Sequence, residues 1–238
     1  MDPLTATAAS GIRARMESLE LLANNVANAA TGGYKADREF YGLYAAPEGE
    51  SNLMPVIERP WIDLSQGLIH TTGNSLDLAL SGRGFFAVNG PNGPLYTRNG
   101  SFSLAADGRV VTPEGYSVRG AGGAPLTLAS GRSIDIDADG TIVQDGNIAG
   151  RLEIVDFASL DGVVKQGNNY FRVADPSTAS ASTASVEQGR LEASNTGSAE
   201  SAVRLVSVMR QFEMLQRAVS LGGEMNRAAI EQVARVGN

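Results

Sequence analysis

The residue types that most often carry chemistry are scarce in this chain of 238 residues. His70 is the single histidine and cysteine is absent, which excludes disulfides, cysteine-ligated metals and zinc sites built on two or three histidines. The segment GLIHTTGNS around His70 shows no acid–nucleophile pattern, so it favours a solvent-facing histidine over a Ser-His-Asp triad. We therefore expect neither an enzyme nor a bound cofactor.

The segment DIDADG at residues 135–140 begins like the calcium-binding loop of an EF-hand. That loop needs a bidentate glutamate at its twelfth position, where this chain has Gly146. The flanking residues read as strands, so the segment predicts a hairpin turn with exposed acids and no metal.

A third polar cluster, ANNVANAATGGYKADRE at residues 23–39, lies where a predicted helix ends. Apolar residues before it recur every three or four positions, which is typical of an amphipathic helix, and Gly32 and Gly33 supply the stop. Nothing nearby in the sequence covers this apolar stripe, so it must pack against a distant element or another molecule. The stripe consists of Leu4, Ala8, Ile12, Met16, Leu19, Ala23, Val26 and Ala30.

A second long helix is predicted at the other end of the chain. Its apolar residues recur at a mean step of roughly three and a half, the spacing of a coiled coil. Gly222 and Gly223 interrupt it and indicate either a kink or the close approach of another backbone. The stripe includes Ala202, Leu205, Met209, Phe212, Leu215, Val219, Met225, Ala229, Val233 and Val236.

The middle of the chain has the pattern of antiparallel β structure. Short apolar runs alternate with Asn-Gly, Asp-Gly and other glycine-rich turns. Two similar pieces, AADGRVV at residues 105–111 and DADGTIV at residues 137–143, each predict a hairpin.

Together these patterns predict an α+β fold. Paired long N- and C-terminal helices, arranged like a coiled coil, flank a central antiparallel β-rich domain. An intramolecular helical hairpin that merely closes the domain is the alternative to assembly through the two stripes. The predicted boundaries are an N-terminal axial helix at 1–35, an irregular connector at 36–75, a β-rich outer domain at 76–173, a Ser/Ala/Thr-rich linker at 174–196 and a C-terminal axial helix at 197–238.

Charge and hydropathy narrow the classes of partner. The formal net charge is −7 and no Lys/Arg cluster stands out, so we expect no nucleic-acid partner. No apolar run approaches the roughly 18 residues of a membrane span, and we expect no membrane insertion. The N-terminus lacks the basic start and apolar block of a cleavable secretory signal, which is compatible with a cytoplasmic protein or a specialised export route.

The segment LLANNVANAATGGYKADREF at residues 21–40 resembles the N-terminal signature of the flagellar rod and hook family of axial proteins. That pattern runs A-N-N-x-A-N-x-x-T-x-G-[FY]-[KR]. The segments at residues 72–88, 96–120 and 189–219 also resemble the family, and RQFEMLQ at residues 210–216 together with the short length favours a proximal rod protein over a distal one. The signature positions matched are Ala23, Asn24, Asn25, Ala27, Asn28, Thr31, Gly33, Tyr34 and Lys35.

This resemblance implies a structural subunit of the bacterial flagellar basal-body rod. Such a subunit polymerises through its terminal helices into a hollow drive shaft that transmits torque. The implied partners are copies of itself, other rod proteins and the flagellar export apparatus, which delivers the chain to the periplasmic rod without a cleavable signal. The amide-rich segment is then interpreted as a helix end that binds neighbouring subunits. Its asparagine side chains would form hydrogen bonds with backbone groups of neighbouring helices. The predicted interface residues are Leu19, Asn24, Asn25, Ala27, Asn28, Thr31, Gly33, Tyr34, Leu205, Met209, Phe212, Leu215 and Val219.

Two alternative functions, from other classes of protein, remain open. A β-rich surface-binding module on a closed coiled-coil oligomer would need an exposed aromatic platform, for which Trp61, Tyr96 and Tyr116 are the candidates. An enzyme acting on peptidoglycan would need a catalytic constellation that the sequence does not show. Within the rod and hook family, a distal rod or other axial subunit is the alternative.

Overall fold

The computed structural model describes residues 3–39, 41–45, 53–57, 61–159, 162–167 and 169–236. The chain divides into two compact units. The first, here called the helical unit, comprises Met1–Asn28, Ala36–Asp63 and Thr196–Asn238. The second, the β body, comprises Ala29–Lys35 and Leu64–Asn195. Residues 1–2 and 237–238 of the predicted terminal helices lie outside the described residues.

The helical unit contains two helices and two short antiparallel ribbons. Helix α2 begins at Ser198, with Glu200 in its first turn, where negative charge complements the helix dipole. Among the described residues, no helix is long and apolar enough to cross a membrane. The bounds are α1 Pro3–Ala27, β1 Asp37–Arg38, β2 Tyr41–Ala45, β3 Leu53–Ile57, β4 Trp61–Ile62 and α2 Ser198–Val236, with β1 paired to β4 and β2 to β3.

The predicted pair of long terminal helices in a coiled-coil-like arrangement is wrong. Helix α1 has only 25 residues against 39 in α2, and the described residues contain no coiled-coil pair. A coiled coil needs large apolar knobs on both helices. The buried face of α1 is instead rich in small or polar residues, and a Cβ built on Gly11 would lie 3.5 Å from Leu215 Cδ1 of α2. That face carries Gly11, Ala14, Ser18, Leu22 and Asn25.

The predicted stripes also differ from the faces that are buried. On α1, the predicted positions Met16 and Ala23 are exposed. On α2, Val208 is buried whereas the predicted Met209 is exposed. Hydrophobic spacing thus missed the buried face of α1, whereas on α2 the predicted Leu205, Phe212, Leu215 and Val219 are half-buried on the same side as Val208.

The β body is built from short antiparallel strands. Its largest sheet follows the order β16-β17-β8-β7-β11-β10-β9, with β15 joining β7 to β18, and smaller sheets pair β12-β13-β14, β19-β6 and β20-β5. The bounds are β5 Ile69–Thr71, β6 Leu78–Ser81, β7 Phe85–Gly90, β8 Gly93–Thr97, β9 Ser103–Leu104, β10 Val110–Val111, β11 Ser117–Val118, β12 Asp135–Ile136, β13 Thr141–Gln144, β14 Asn147–Arg151, β15 Ile154–Phe157, β16 Val163–Gly167, β17 Tyr170–Val173, β18 Ala179–Ala181, β19 Ser185–Gln188 and β20 Arg190–Glu192.

Both predicted Asp-Gly hairpins are confirmed. Strands β9 and β10 pair across the turn at Gly108, and β12 and β13 pair across the turn at Gly140. The acids of the DIDADG segment belong to this second hairpin, where Asp139 accepts hydrogen bonds from the backbone N–H and the hydroxyl of Thr141. Among the described residues, no group of three acidic or histidine side chains is placed to hold a metal ion.

Residues 174–196, predicted as a linker, carry a 3-10 helix at Pro176–Thr178 and strands β18 to β20. Val186 of β19 is buried in the core, among the side chains of β6, β7 and β13. Strand β20 pairs with β5 and places Glu192 in the interior of the β body. The small side chains of this segment therefore belong to a folded edge of the β body.

Candidate assembly site

The asparagines of the signature make local contacts at the end of α1. The buried Asn25 side chain exchanges two hydrogen bonds with Asp37: its Nδ2 donates to Asp37 O at 2.8 Å, and its Oδ1 accepts from Asp37 N at 3.0 Å. The side chain thus acts as an extra strand partner for β1. Asn28 closes the helix, because its backbone N–H and its Nδ2 both donate to Asn24 O, at 3.1 and 2.9 Å.

The next part of the signature, residues 29–35, belongs to the β body and turns at Gly33. Gly33 has φ +67°, and its N–H donates to Glu192 O at 2.7 Å. A Cβ at this position would lie 2.4 Å from Arg98 C and Asn99 N. Glycine is therefore required here for both conformation and space.

A buried ion cluster follows directly after this turn. Lys35 Nζ lies 2.5 Å from Glu192 Oε1 and donates to Ser65 O at 2.6 Å. Arg98 Nη1 donates to the other carboxylate oxygen of Glu192 at 3.2 Å. The Gly67 N–H also donates to Glu192 Oε1, at 2.8 Å. We call Lys35, Arg98 and Glu192 the buried triad; all three are almost fully excluded from solvent.

Two cations share one carboxylate in the buried triad, so backbone carbonyls must complete the compensation. Arg98 donates to Gly82 O at 2.6 Å and to Leu80 O at 3.3 Å. Its Nε is buried without an acceptor among the described residues. Burial lowers the pKa of the Arg98 guanidinium, and the attraction of the Glu192 carboxylate only partly offsets that effect.

Tyr34 is held from two sides within the β body. The Lys165 ammonium lies 4.4 Å from the centre of its ring, a cation–π contact, and donates to its hydroxyl at 3.4 Å. The Tyr34 carbonyl accepts from Asn195 N at 3.2 Å. The aromatic residue of the signature is thus buried in the chain's own fold.

The predicted interface residues fall into three groups by exposure. Asn25, Gly33 and Tyr34 are buried. Asn24, Ala27 and Met209 are exposed. Leu19, Asn28, Thr31, Leu205, Phe212, Leu215 and Val219 are half-buried. Their role in contacts between subunits stays a prediction.

The sequence matches Glu192 to the closing segment of the rod and hook family but does not predict its pairing with Lys35 and Arg98. The available signal was indirect: Lys35 is the basic position of the N-terminal signature, and Glu192 belongs to the closing segment GRLEAS. A cation in one segment and an acid in another cannot be paired without knowing that β20 returns beside residues 29–35.

Comparisons with known proteins agree with this layout. Residues 79–144 match the family described as the flagellar hook protein FlgE/F/G D1 domain, and residues 187–232 match the flagellar basal body rod FlgEFG protein C-terminal family. The rod protein FlgG of Agrobacterium fabrum is 32% identical over 252 aligned residues, which cover 92% of this chain and 95% of the relative. The chain belongs to the flagellar basal-body rod protein family.

Rod proteins of both kinds, FlgF and FlgG, are similar to this chain. FlgF of Mesorhizobium japonicum is 31% identical, with 82% of this chain and 83% of the relative covered. FlgF of Caulobacter vibrioides is 29% identical over 226 residues, with 92% of each chain covered. The first matched rod and hook region covers β6 to β13 of the β body, and the second covers β20 and most of α2.

Proposed function

We propose that this chain is a structural subunit of the flagellar basal-body rod that polymerises through its terminal helices into a hollow helical shaft and transmits torque. Membership in the rod protein family supports the structural role. The observation that carries the mode of assembly is an exposed apolar stripe along α2.

This outer stripe of α2 consists of Val203, Met214, Leu221 and Met225. At 3.6 residues per turn, these side chains lie within about 40° of one line along the helix. Their exposed fractions are 73%, 61%, 59% and 72%. Its continuous part, from Met214 to Met225, runs for roughly 16 Å at 1.5 Å per residue, and the exposed Ser207 and Arg210 separate it from Val203. It lies on the opposite side of the helix from the side chains that α2 buries, such as Val208.

Covering this stripe provides a driving force for association. Full burial of one such side chain stabilises a protein by about 1.5–3 kcal/mol. A helix that is apolar on two opposite sides requires two partners, and its own chain supplies one of them. The other partner is a neighbouring subunit or another rod protein.

Helix α1 presents a second apolar surface of its own. Met16 and Ala23 are exposed, while Ile12 and Leu19 are half-buried on the same side of the helix. Two different apolar surfaces on one subunit favour a heterologous contact, in which one surface of each copy meets the other surface of the next. Such contacts propagate into open helical filaments unless the rotation closes a ring.

The glycine pair of α2 supports the same proposal. Gly222 and Gly223 each weaken a helix by about 1 kcal/mol relative to alanine. Helix α2 nevertheless continues through them, and no described atom lies within 4 Å of a Cβ built at either position. The packing of the described residues does not use these glycines, whereas the close approach of a neighbouring backbone would.

Among rod proteins, we assign this chain to the proximal kind, with the distal kind as the alternative. Its match with the Agrobacterium FlgG runs over 252 aligned positions, more than the whole chain of 238 residues, and therefore requires gaps. Its match with the Caulobacter FlgF runs over 226. The shorter alignment needs fewer gaps at similar coverage.

The subunit reaches the periplasmic rod through the flagellar export apparatus as an unfolded chain. The absence of cysteine supports this route, because no disulfide needs to form after export. No catalytic step belongs to this function.

A surface-binding module on a closed oligomer has weaker support. Of its three candidate platform residues, Trp61 of the helical unit is exposed, whereas Tyr96 is buried and its ring packs edge-on against Phe157. Tyr116 packs against Tyr170. Within the β body these tyrosines serve the chain's own packing.

Assembly of the purified full chain tests the proposal. Light scattering and electron microscopy should show open-ended polymers of the wild type. We expect the double variant Met214→Asp/Leu221→Asp to raise the critical concentration for polymerisation at least tenfold, because charges would be buried in the contact between subunits. Phe212→Asp is a poorer probe, since Phe212 is already half-buried in the chain's own packing.

The matched control is Gln216→Asp/Ser220→Asp, which adds the same charges at exposed positions of the same helix away from the stripe. Circular dichroism should show equal helix content in both variants. Polymerisation of the stripe variant at the wild-type level would refute assembly through α2. A single small oligomer of fixed mass would favour the closed-oligomer alternative.

A further inference from the structure

The sulfur atoms of this chain are concentrated on its exposed helices. The chain contains six methionines and no cysteine. The structure describes the side chains of four, and all four lie on α1 or α2. Met16, Met209, Met214 and Met225 are 49%, 47%, 61% and 72% exposed, respectively.

From this placement we infer that the methionines of α2 are an oxidation site that controls assembly. The inference rests on the proposed function, since it assigns a modification to the same surface. Met214 and Met225 are half of the outer stripe of α2, whereas Met209 is exposed on another side of the same helix. The substrate class is a hydroperoxide, with hydrogen peroxide as the simplest member.

The reaction balances without any further cofactor. A lone pair of the methionine sulfur attacks one peroxide oxygen, the O–O bond breaks, and an S–O bond forms. The sulfur loses two electrons to the peroxide, whose other oxygen leaves as water. Because the chain has no thiol, no more reactive sulfur competes for the oxidant.

Oxidation makes the stripe more polar, and this opposes its burial in a contact between subunits. A thioether is apolar and flexible and adapts to irregular partner surfaces. A sulfoxide is polar and carries a strong acceptor, which remains hydrated on the free subunit but loses its water in the contact. Oxidised subunits should therefore stay unassembled while their own fold is unchanged.

The same chemistry makes the modification reversible. Methionine sulfoxide is returned to the thioether by sulfoxide reductases, one for each epimer of the sulfur. Subunits already incorporated in a polymer would bury these sulfurs and resist the oxidant. Free and assembled subunits would then differ in sensitivity.

The test compares the critical concentration for polymerisation before and after treatment of the purified full chain with hydrogen peroxide. Mass spectrometry of α2 peptides counts the oxygen atoms added at each methionine. We expect treatment to raise the critical concentration of the wild type at least tenfold, with an unchanged unfolding midpoint. The triple variant Met209→Leu/Met214→Leu/Met225→Leu is made in a Met16→Leu background, because Met16 is exposed on the apolar surface of α1. Its ratio of treated to untreated critical concentrations should stay close to one, whereas the third protein, Met16→Leu alone, should respond like the wild type.

A fourth protein adds Ile148→Met to the triple variant. Ile148 is 77% exposed on the β body, so a methionine there should oxidise without changing that ratio. A treated wild type that assembles normally, or a triple variant that loses assembly as strongly as the wild type, would overturn the inference. An untreated wild type that forms no polymer would overturn the proposed function itself, and the inference with it.

Discussion

The carboxylate of Glu192 forms ion pairs with two cations, Lys35 and Arg98, in the solvent-excluded interior of the β body. Its two carboxylate oxygens receive Lys35, Arg98 and the Gly67 N–H, and its own backbone carbonyl holds Gly33. Bringing three charges into the interior carries a large desolvation penalty, which makes a buried ion cluster a poor source of net stability. The buried triad instead fixes geometry, because loss of the Glu192 carboxylate would leave both cations inside the β body without an anion.

The variant Glu192→Gln tests this dependence on a single carboxylate. The shape is retained, but the amide nitrogen would face a donor and both cations would remain buried without an anion. We expect the free energy of unfolding to fall by about 3–5 kcal/mol, measured by urea denaturation. The control Asp145→Asn removes a carboxylate from a solvent-exposed pair with Arg132 and should change stability by less than about 1 kcal/mol. Equal effects of the two changes would contradict the role of the buried triad.

At the scale of elements, the turn at residues 29–35 is a packed part of the β body, whereas helix α1 before it belongs to the helical unit. Gly33 directs the chain past Arg98 and Asn99 so closely that even a methyl group does not fit. The turn thereby places Tyr34 and Lys35 inside the β body. The signature is thus a packing motif of the single chain, in addition to any contact that it makes between subunits.

The variant Gly33→Ala should disrupt this turn. A Cβ would overlap backbone atoms at 2.4 Å, and backbone cannot move aside as a flexible side chain can. We expect either unfolding or a loss of more than about 3 kcal/mol, seen as a lower thermal midpoint. The control Gly131→Ala also places alanine at positive φ, but no described atom lies within 4 Å of its Cβ. It should cost only about 1 kcal/mol, from backbone strain alone. Similar losses in both variants would mean that the clash is not the cause.

Elements that depend on local signals were predictable from the sequence. The hairpins at Gly108 and Gly140 follow from Asp-Gly turns between alternating strands. Elements that depend on distant partners were not. The buried face of α1 uses small residues such as Gly11 and Ser18, which a search for hydrophobic periodicity passes over. Strands β19 and β20 lie in the segment predicted as a linker, whose preceding Ser, Ala and Thr residues carry little hydrophobic signal.

At the scale of the whole molecule, the chain crosses between its two units four times. The first crossing follows Asn28, and residues 29–35 are then built into the β body before the chain returns to the helical unit at Ala36. The last crossing follows Asn195, whose N–H donates to Tyr34 O. Asn195, the last residue of the β body, therefore contacts the backbone of residues 29–35 within the same unit. The outer stripe of α2 is exposed within the described part of the chain.

Two deletions separate the part of the N-terminus that serves assembly from the part that serves the β body. Deleting residues 1–28 removes α1 but keeps Gly33, Tyr34 and Lys35. We expect this variant to lose polymerisation while the amides of β7 keep their protection from hydrogen exchange. Deleting residues 1–35 also removes Lys35, which leaves Glu192 with Arg98 alone and exposes the site that Tyr34 fills. Protection of the β7 amides, measured by mass spectrometry, should then fall by the equivalent of about 3 kcal/mol or more. If both deletions left β7 equally protected, residues 29–35 would not be a structural part of the β body; if the shorter deletion still polymerised, α1 would not be needed for the shaft.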